Sequence, residues 1–203
     1  MKICVQGLWH LGSVTAACLA YVGHDVVGLD DDLSNINNLK QGKAPLFEPG
    51  LDEMVKRNFN QGRLKFSNNV SDSIKKSDII FICVGTPTNK KTNAADLKYV
   101  FQVAHKIKFN LNKYKIIVNK STVPVTTGDK IESILKKNKF KSNYDVVSNP
   151  EFLREGEAIR DFKYPDRIVI GSNNKKVFKK MQLLYEPLIK KGAKFFLYIK
   201  KRR

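Results

Sequence analysis

Between Lys2 and Asp30 the chain reads as one unit with few ways to fold. Ile3-Cys4-Val5 is a short apolar run. Gly7 and Gly12 bracket a tight turn, small and apolar residues fill 13–22, and Asp25-Val26-Val27-Gly28-Leu29 leads to an acid, Asp30. A strand that is apolar on both faces suits the interior of a parallel sheet. Gly7 lets the chain turn sharply, and Gly12 lets the following helix lie close on the strand. Strand, glycine turn, helix, strand and acid make the layout of a dinucleotide-binding βαβ unit. In such a unit the amides of Trp9, His10 and Leu11 face a pyrophosphate at the helix start, and Asp30 accepts from a ribose hydroxyl. The middle glycine of the G-x-G-x-x-G pattern is Trp9 here, and a side chain at that position is expected to crowd the approach of backbone to pyrophosphate. The same stretch also describes a βαβ unit that packs well and binds nothing.

Asp31 and Asp32 follow Asp30. Three consecutive acids repel a 2′-phosphate, which favours NAD over NADP. They serve equally as a helix start, with Asp32 or Ser34 as the cap and Leu33, Ile36 and Leu39 on one face.

Farther along, further strands are expected at 64–67, 78–84, 116–118, 144–147 and 167–171. Helices are expected from the Asp32 or Ser34 cap to 40, and at 52–60, 71–75, 95–109, 126–137, 156–161 and 175–190. Strands alternating with helices predict an α/β fold, a doubly wound and mainly parallel sheet. Four strand ends carry loops of unusual composition, at 7–12, 85–88, 121–124 and 149–155. In an open parallel sheet these meet at the carboxyl edge, where ligands bind.

The charge balance is strongly basic: 37 Lys and Arg against 19 Asp and Glu give a net +18 over 203 residues. Nucleic acid, an anionic surface or an anionic small molecule are all compatible with it. Before residue 175 the lysines are scattered and read as solvated surface. Over 175–203 they are dense, with eleven basic residues against one acid, Glu186. Nucleic-acid binding through that tail, with Phe195, Phe196 and Tyr198 nearby, is the lowest-ranked function. Cys4, Cys18 and Cys83 show no C-x-x-C spacing, so neither a disulfide framework nor a metal site is expected. Buried thiols in a reducing cytoplasm are the simplest reading, and none has a neighbour that would activate it. No secretory leader is expected, and no apolar run approaches the roughly 18 residues that span a bilayer.

Seven segments together resemble the NAD-binding domain of the UDP-glucose/GDP-mannose dehydrogenase family, nearest its UDP-glucose 6-dehydrogenase branch. They are the Gly7 to Gly12 turn, Phe47-Glu48-Pro49-Gly50-Leu51, Val84-Gly85-Thr86-Pro87, Ala95-Asp96-Leu97 with Tyr99-Val100, Lys120-Ser121-Thr122-Val123-Pro124-Val125, Asn149-Pro150-Glu151-Phe152-Leu153-Arg154-Glu155-Gly156, and Pro165-Asp166-Arg167-Ile168-Val169-Ile170-Gly171. The resemblance covers about residues 1–190 and implies a Rossmann-type domain over 1–192.

It further implies a two-step oxidation of a nucleotide sugar, UDP-glucose to UDP-glucuronate in type, with two NAD reduced. A cysteine thioester is hydrolysed along the way. Carried over position by position, Gly7, Trp9, His10, Leu11, Gly12, Asp30, Val84, Gly85, Thr86, Ser121, Thr122 and Glu155 are the cofactor residues. Thr122 also holds a catalytic water, and Glu151 is a general base in the hydrolysis. Glu151, Phe152, Leu153 and Arg154 line the sugar. Apart from the resemblance, Glu151 also reads as an acid near a helix start. Two departures are expected to matter. Asn35 stands where the family often has an arginine near the adenine ribose. Residues 193–203 read as a divergent basic tail, in the manner of a frame-shifted or shortened end. The central helical domain, through which the family dimerises, and the nucleotide-sugar domain would then be absent, and with them the family's lysine, asparagine, nucleophilic cysteine and aspartate. On that expectation the chain is the cofactor half of an NAD-dependent enzyme, or a non-catalytic NAD-binding module completed by a second polypeptide.

Overall fold

The strands read as unbroken apolar runs because helices cover both faces of the sheet they form. In β1 (Lys2–Gln6), Ile3 and Val5 enter one core and Cys4 the other. In β4 (Ile79–Ile82), Ile79 and Phe81 go one way, Ile80 and Ile82 the other. This is the two-sided burial of a doubly wound sheet.

The computed structural model describes residues 1–137 and 143–199. These form eight strands and eight helices. The strands make one sheet in the order β3-β2-β1-β4-β5-β6-β7-β8. The remaining strands are β2 (Asp25–Leu29), β3 (Leu64–Ser67), β5 (Lys115–Asn119), β6 (Tyr144–Ser148), β7 (Arg167–Ser172) and β8 (Lys194–Ile199). Pairing is parallel except between β6 and β7, where Val147 faces Ser172 and Ser148 faces Gly171. The strand order reverses between β1 and β4. There the ends of β1, β2, β4 and β5 open on a common edge, the place where an open α/β sheet takes its ligand.

The helices are α1 (His10–Tyr21), α2 (Leu33–Lys40), α3 (Leu51–Asn60), α4 (Val70–Lys76), α5 (Lys98–Asn110), α6 (Thr127–Lys136), α7 (Ala158–Lys163) and α8 (Lys175–Ile189). Helix α1 starts at the turn itself, three residues earlier than the expected 13–22. Asp32 caps α2, accepting from the amides of Ser34 at 2.8 Å and Asn35 at 3.1 Å.

Three expectations need correction. The helix expected from residue 95 begins at Lys98. Ala95 instead bridges Thr88, the Asp96 amide donates to the Pro87 carbonyl at 2.8 Å, and the Asp96 carboxylate takes the Lys98 amide. The short helix expected at 156–161 runs over Ala158–Lys163. Residues 194–199 of the expected basic tail are β8, parallel to β7 from Arg167↔Lys194 to Ser172↔Ile199. The last four basic residues, 200–203, lie outside the described residues.

Candidate functional site

Steric limits build the turn after β1. Gly7 holds φ at 91°, and a Cβ on Gly12 would stand 1.6 Å from the Gly7 carbonyl oxygen, so neither position admits a side chain. Leu8 is fully buried, and its backbone is clamped at both ends. Its amide donates to Asp30 Oδ2 at 2.6 Å, while its carbonyl accepts from Ser13 Oγ at 2.6 Å and Asn35 Nδ2 at 3.0 Å. Asn35 thus ties α2 to the turn. Asp30 Oδ1 accepts the Asp32 amide at 3.0 Å, which fixes the carboxylate at the end of β2. Trp9 is the residue that caps α1, and its side chain is 60 % exposed rather than packed into the turn. Among the described residues no acceptor meets the amides of Trp9, His10 and Leu11. Free amides above a fixed carboxylate suit a dinucleotide, so the residues present fit NAD.

Two neighbouring loops are laced together. Ser121 Oγ donates to the Val84 carbonyl at 2.7 Å, and Thr86 Oγ1 to the Thr122 carbonyl at 2.8 Å. Gly85 leaves open space, since a Cβ there would meet nothing within 4 Å. Val84, Gly85, Thr86, Ser121 and Thr122 therefore form one continuous rim beside the turn.

One residue with no role assigned from sequence organises the whole edge. Glu48 is buried and its carboxylate collects three donors. Oε2 accepts from His10 Nε2 and from the Gly156 amide, both at 2.9 Å, and Oε1 accepts from the Ala158 amide at 2.8 Å. It joins the start of α1, at the glycine turn, to the loop after β6 and to the first turn of α7. The Phe47-Glu48-Pro49-Gly50-Leu51 segment marked the spot, but two of its three donors lie more than a hundred residues away.

The loop after β6 borders an open cleft of about 530 Å³. Glu151, Phe152, Leu153 and Arg154 line it together, with Lys120 and Asn149. Glu155 and Thr122 are not part of that lining. Glu151 Oε2 accepts the Leu153 amide at 2.7 Å, which turns the loop. Asn149 is held from two sides, donating to the Val169 carbonyl at 3.1 Å and accepting from the Tyr185 hydroxyl. Arg154 pairs with Asp161 at 2.7 Å and with Glu157, so its guanidinium braces its own loop. The hydrogen bond from Arg154 holds Asp161 below the usual carboxylate range. The Arg167 guanidinium lies 4.6 Å from the Phe152 ring centre. Burial pulls the Lys120 ammonium below its ordinary pKa, against the opposing pull of Cys83, Glu151 and Cys18.

All three cysteines are buried. Burial pushes the thiols of Cys4 and Cys83 up to about 12, and that of Cys18 higher still. None is a nucleophile at neutral pH. Among the described residues no cluster of His, Cys, Asp or Glu could hold a metal ion, and no helix is long and apolar enough to cross a membrane.

Comparison with known proteins agrees with this geometry. The model of the UDP-glucose/GDP-mannose dehydrogenase family, NAD binding domain, matches residues 1–189. The chain is 46 % identical over 190 residues to a UDP-glucose 6-dehydrogenase of Rhizobium meliloti, covering 93 % of this chain and 44 % of that protein. It is 48 % identical over 187 residues to the UDP-glucose 6-dehydrogenase TuaD of Bacillus subtilis, covering 92 % of this chain and 40 % of the relative. The solved UDP-glucose dehydrogenase of Pyrobaculum islandicum superimposes with a TM-score of 0.92 at 34 % identity, over 97 % of this chain and 46 % of that one. The chain thus spans less than half the length of these relatives.

Proposed function

The chain belongs to the UDP-glucose/GDP-mannose dehydrogenase family, of which it carries the NAD-binding domain, and from that premise we propose that it supplies the cofactor half of an oxidation of UDP-glucose at C6. The observation that carries this reading is the clamped turn. Its amides are free, and the Asp30 carboxylate is fixed 2.6 Å from the Leu8 amide beside them. The 46 % and 48 % identities to UDP-glucose 6-dehydrogenases support UDP-glucose as the sugar nucleotide.

In this reading each residue has a physical task. Gly7 and Gly12 keep the turn thin. The amides of Trp9, His10 and Leu11 receive the diphosphate, and Asp30 receives the adenosine ribose. Asp31 and Asp32 disfavour a 2′-phosphate. Val84, Gly85, Thr86, Ser121 and Thr122 border the nicotinamide side, and Glu155 closes it from the loop after β6. Bound NAD supplies the hydride acceptor. The Thr122 hydroxyl donates and accepts at once, which suits it to hold a water. Glu151 takes a proton from that water during hydrolysis. Phe152, Leu153 and Arg154 border the sugar. The nucleophilic thiol that the reaction needs is none of Cys4, Cys18 or Cys83, because all three are sealed in the core.

The test uses the one tryptophan of the chain, Trp9, which sits on the turn. Titration with NAD should quench its emission saturably, and NADP should do so more weakly. Mixed with NAD and UDP-glucose, the purified 203-residue chain should bind cofactor but form no NADH. Sustained NADH production by the chain alone would refute the division of labour proposed here. An absence of NAD binding would refute the cofactor site.

A further inference from the structure

The roles above leave Lys120, a charged side chain of the cleft, without a task. Lys120 follows β5, is only 5 % exposed, and lines the cleft beside Glu151 and Asn149. Its backbone amide donates to the Ile82 carbonyl at 3.0 Å. Its ammonium, by contrast, meets no hydrogen-bond acceptor and no ion-pair partner among the described residues. Lys115, at the other end of β5, shows what a satisfied buried lysine looks like. It is fully buried and gives its protons to the carbonyls of Ser77 at 2.6 Å and Lys75 at 3.2 Å. A buried ammonium without an acceptor is costly to keep. One that opens on a cleft is positioned for an acceptor that arrives from outside.

The ionisable groups around Lys120 come from three elements. Cys83 follows β4, Cys18 belongs to α1, and Glu151 lies in the loop after β6. Both thiols stay protonated through burial. Glu151 is therefore the one anion among them, and it spends Oε2 on the Leu153 amide. The cleft thus presents an unspent cation and a carboxylate on the same lining, on the side where the sugar is expected.

We propose that Lys120 is a substrate-binding residue: its ammonium donates a hydrogen bond to the oxygen on the sugar carbon that is oxidised, and holds the carboxylate that this carbon becomes. This rests on the nucleotide-sugar reading above. The chemical class recognised is a sugar C6 oxygen, neutral as the alcohol and anionic as the acid. The anionic form is held more tightly, because it gives the buried ammonium a charged acceptor.

The experiment uses the full chain saturated with NAD, its lysines carrying ¹³C at Cε, followed by NMR. Lys120→Met identifies the Lys120 signal by its loss, and circular dichroism with the Trp9 response to NAD establishes that the variant is folded. Glucuronate is the probe; glucose and acetate are the controls. Glucuronate should move the Lys120 signal saturably and raise its titration midpoint by about one pH unit or more. Lys120→Arg should retain glucuronate binding, whereas Lys120→Met should weaken it about tenfold or more, the range of a charge-assisted hydrogen bond. A Lys120 signal that ignores glucuronate while Trp9 still reports NAD overturns this inference and leaves the cofactor reading standing. A response to acetate equal to that to glucuronate also overturns it, since the cleft would then hold any small anion. Loss of the NAD response in the unmodified chain would instead defeat the reading on which it rests.

Discussion

Glu48 Oε2 accepts a hydrogen bond from His10 Nε2 at 2.9 Å, and with that contact the buried carboxylate holds the start of α1, just after the glycine turn. The same carboxylate satisfies the amides of Gly156 and Ala158. Glu48→Ala strands those two amides in a buried site. Each lost partner of this kind costs about 1–3 kcal/mol, so the variant should lose about 3 kcal/mol of unfolding free energy or more. Glu48→Gln keeps the volume and one acceptor and should lose less. Urea denaturation of the three proteins measures this ranking, and equal stability of Glu48→Ala and the unmodified chain would contradict it.

Asp30 is tied to the turn through the Leu8 amide. Asp30→Ala should weaken NAD binding by about 10- to 100-fold, the range for hydrogen bonds to a charged group. It should also narrow the preference for NAD over NADP, since one of three acids is gone. Trp9 quenching titrations with both cofactors read the two effects separately.

Lys115 makes a prediction about pH. Burial, reinforced by Lys113, lowers its ammonium to about 8 from the ordinary 10.5. Between those values the unfolded chain holds a proton that the folded chain has shed. The unfolding free energy therefore rises with pH across about 8 to 10.5 on account of this group, and is lowest below 8. Lys115→Met removes that contribution. Subtracting the urea-derived stability of the variant from that of the unmodified chain, pH by pH, should give a difference that grows across the window. A flat difference would refute it.

The thiols give the fourth prediction. Cys4 and Cys83 titrate near 12 and all three cysteines are buried. A thiol-specific chromogenic reagent at pH 8 should therefore react with none of them in the folded chain and with all three in denaturant. A fast-reacting thiol in the folded chain would disprove the claim that none serves as the nucleophile.

Local chemistry was legible in the sequence, and distant pairing was not. The glycine turn and the Asp32 cap were readable because each acts on residues close by in the chain. The apolar interior strands were readable because burial on both faces leaves no polar alternation. Strand β8 was hidden by its setting: Lys194-Phe195-Phe196-Leu197-Tyr198-Ile199 follows a lysine-rich helix, and its reason to be a strand is its partner β7. The start of α5 was misread because Ala95, Asp96 and Leu97 fit a helical period. The Thr88–Ala95 bridge and the Asp96 side chain turn the chain first. Glu48 looked like part of a loop signature. Its three donors come from the start of α1 and from the segment before and into α7, and nothing near it in sequence announces them.

The Glu48 clasp also bears on how the domain is made. Its two backbone bonds join residues 108 and 110 positions apart. A ribosome must have added Ala158 before Glu48 can gain those donors. Until then the carboxylate has only His10 to hold, and the glycine turn is fastened on one side. Contacts of such separation tend to follow the local ones during folding. The N-terminal βαβ unit that is easiest to read in the sequence is in this sense finished from the far end of the chain.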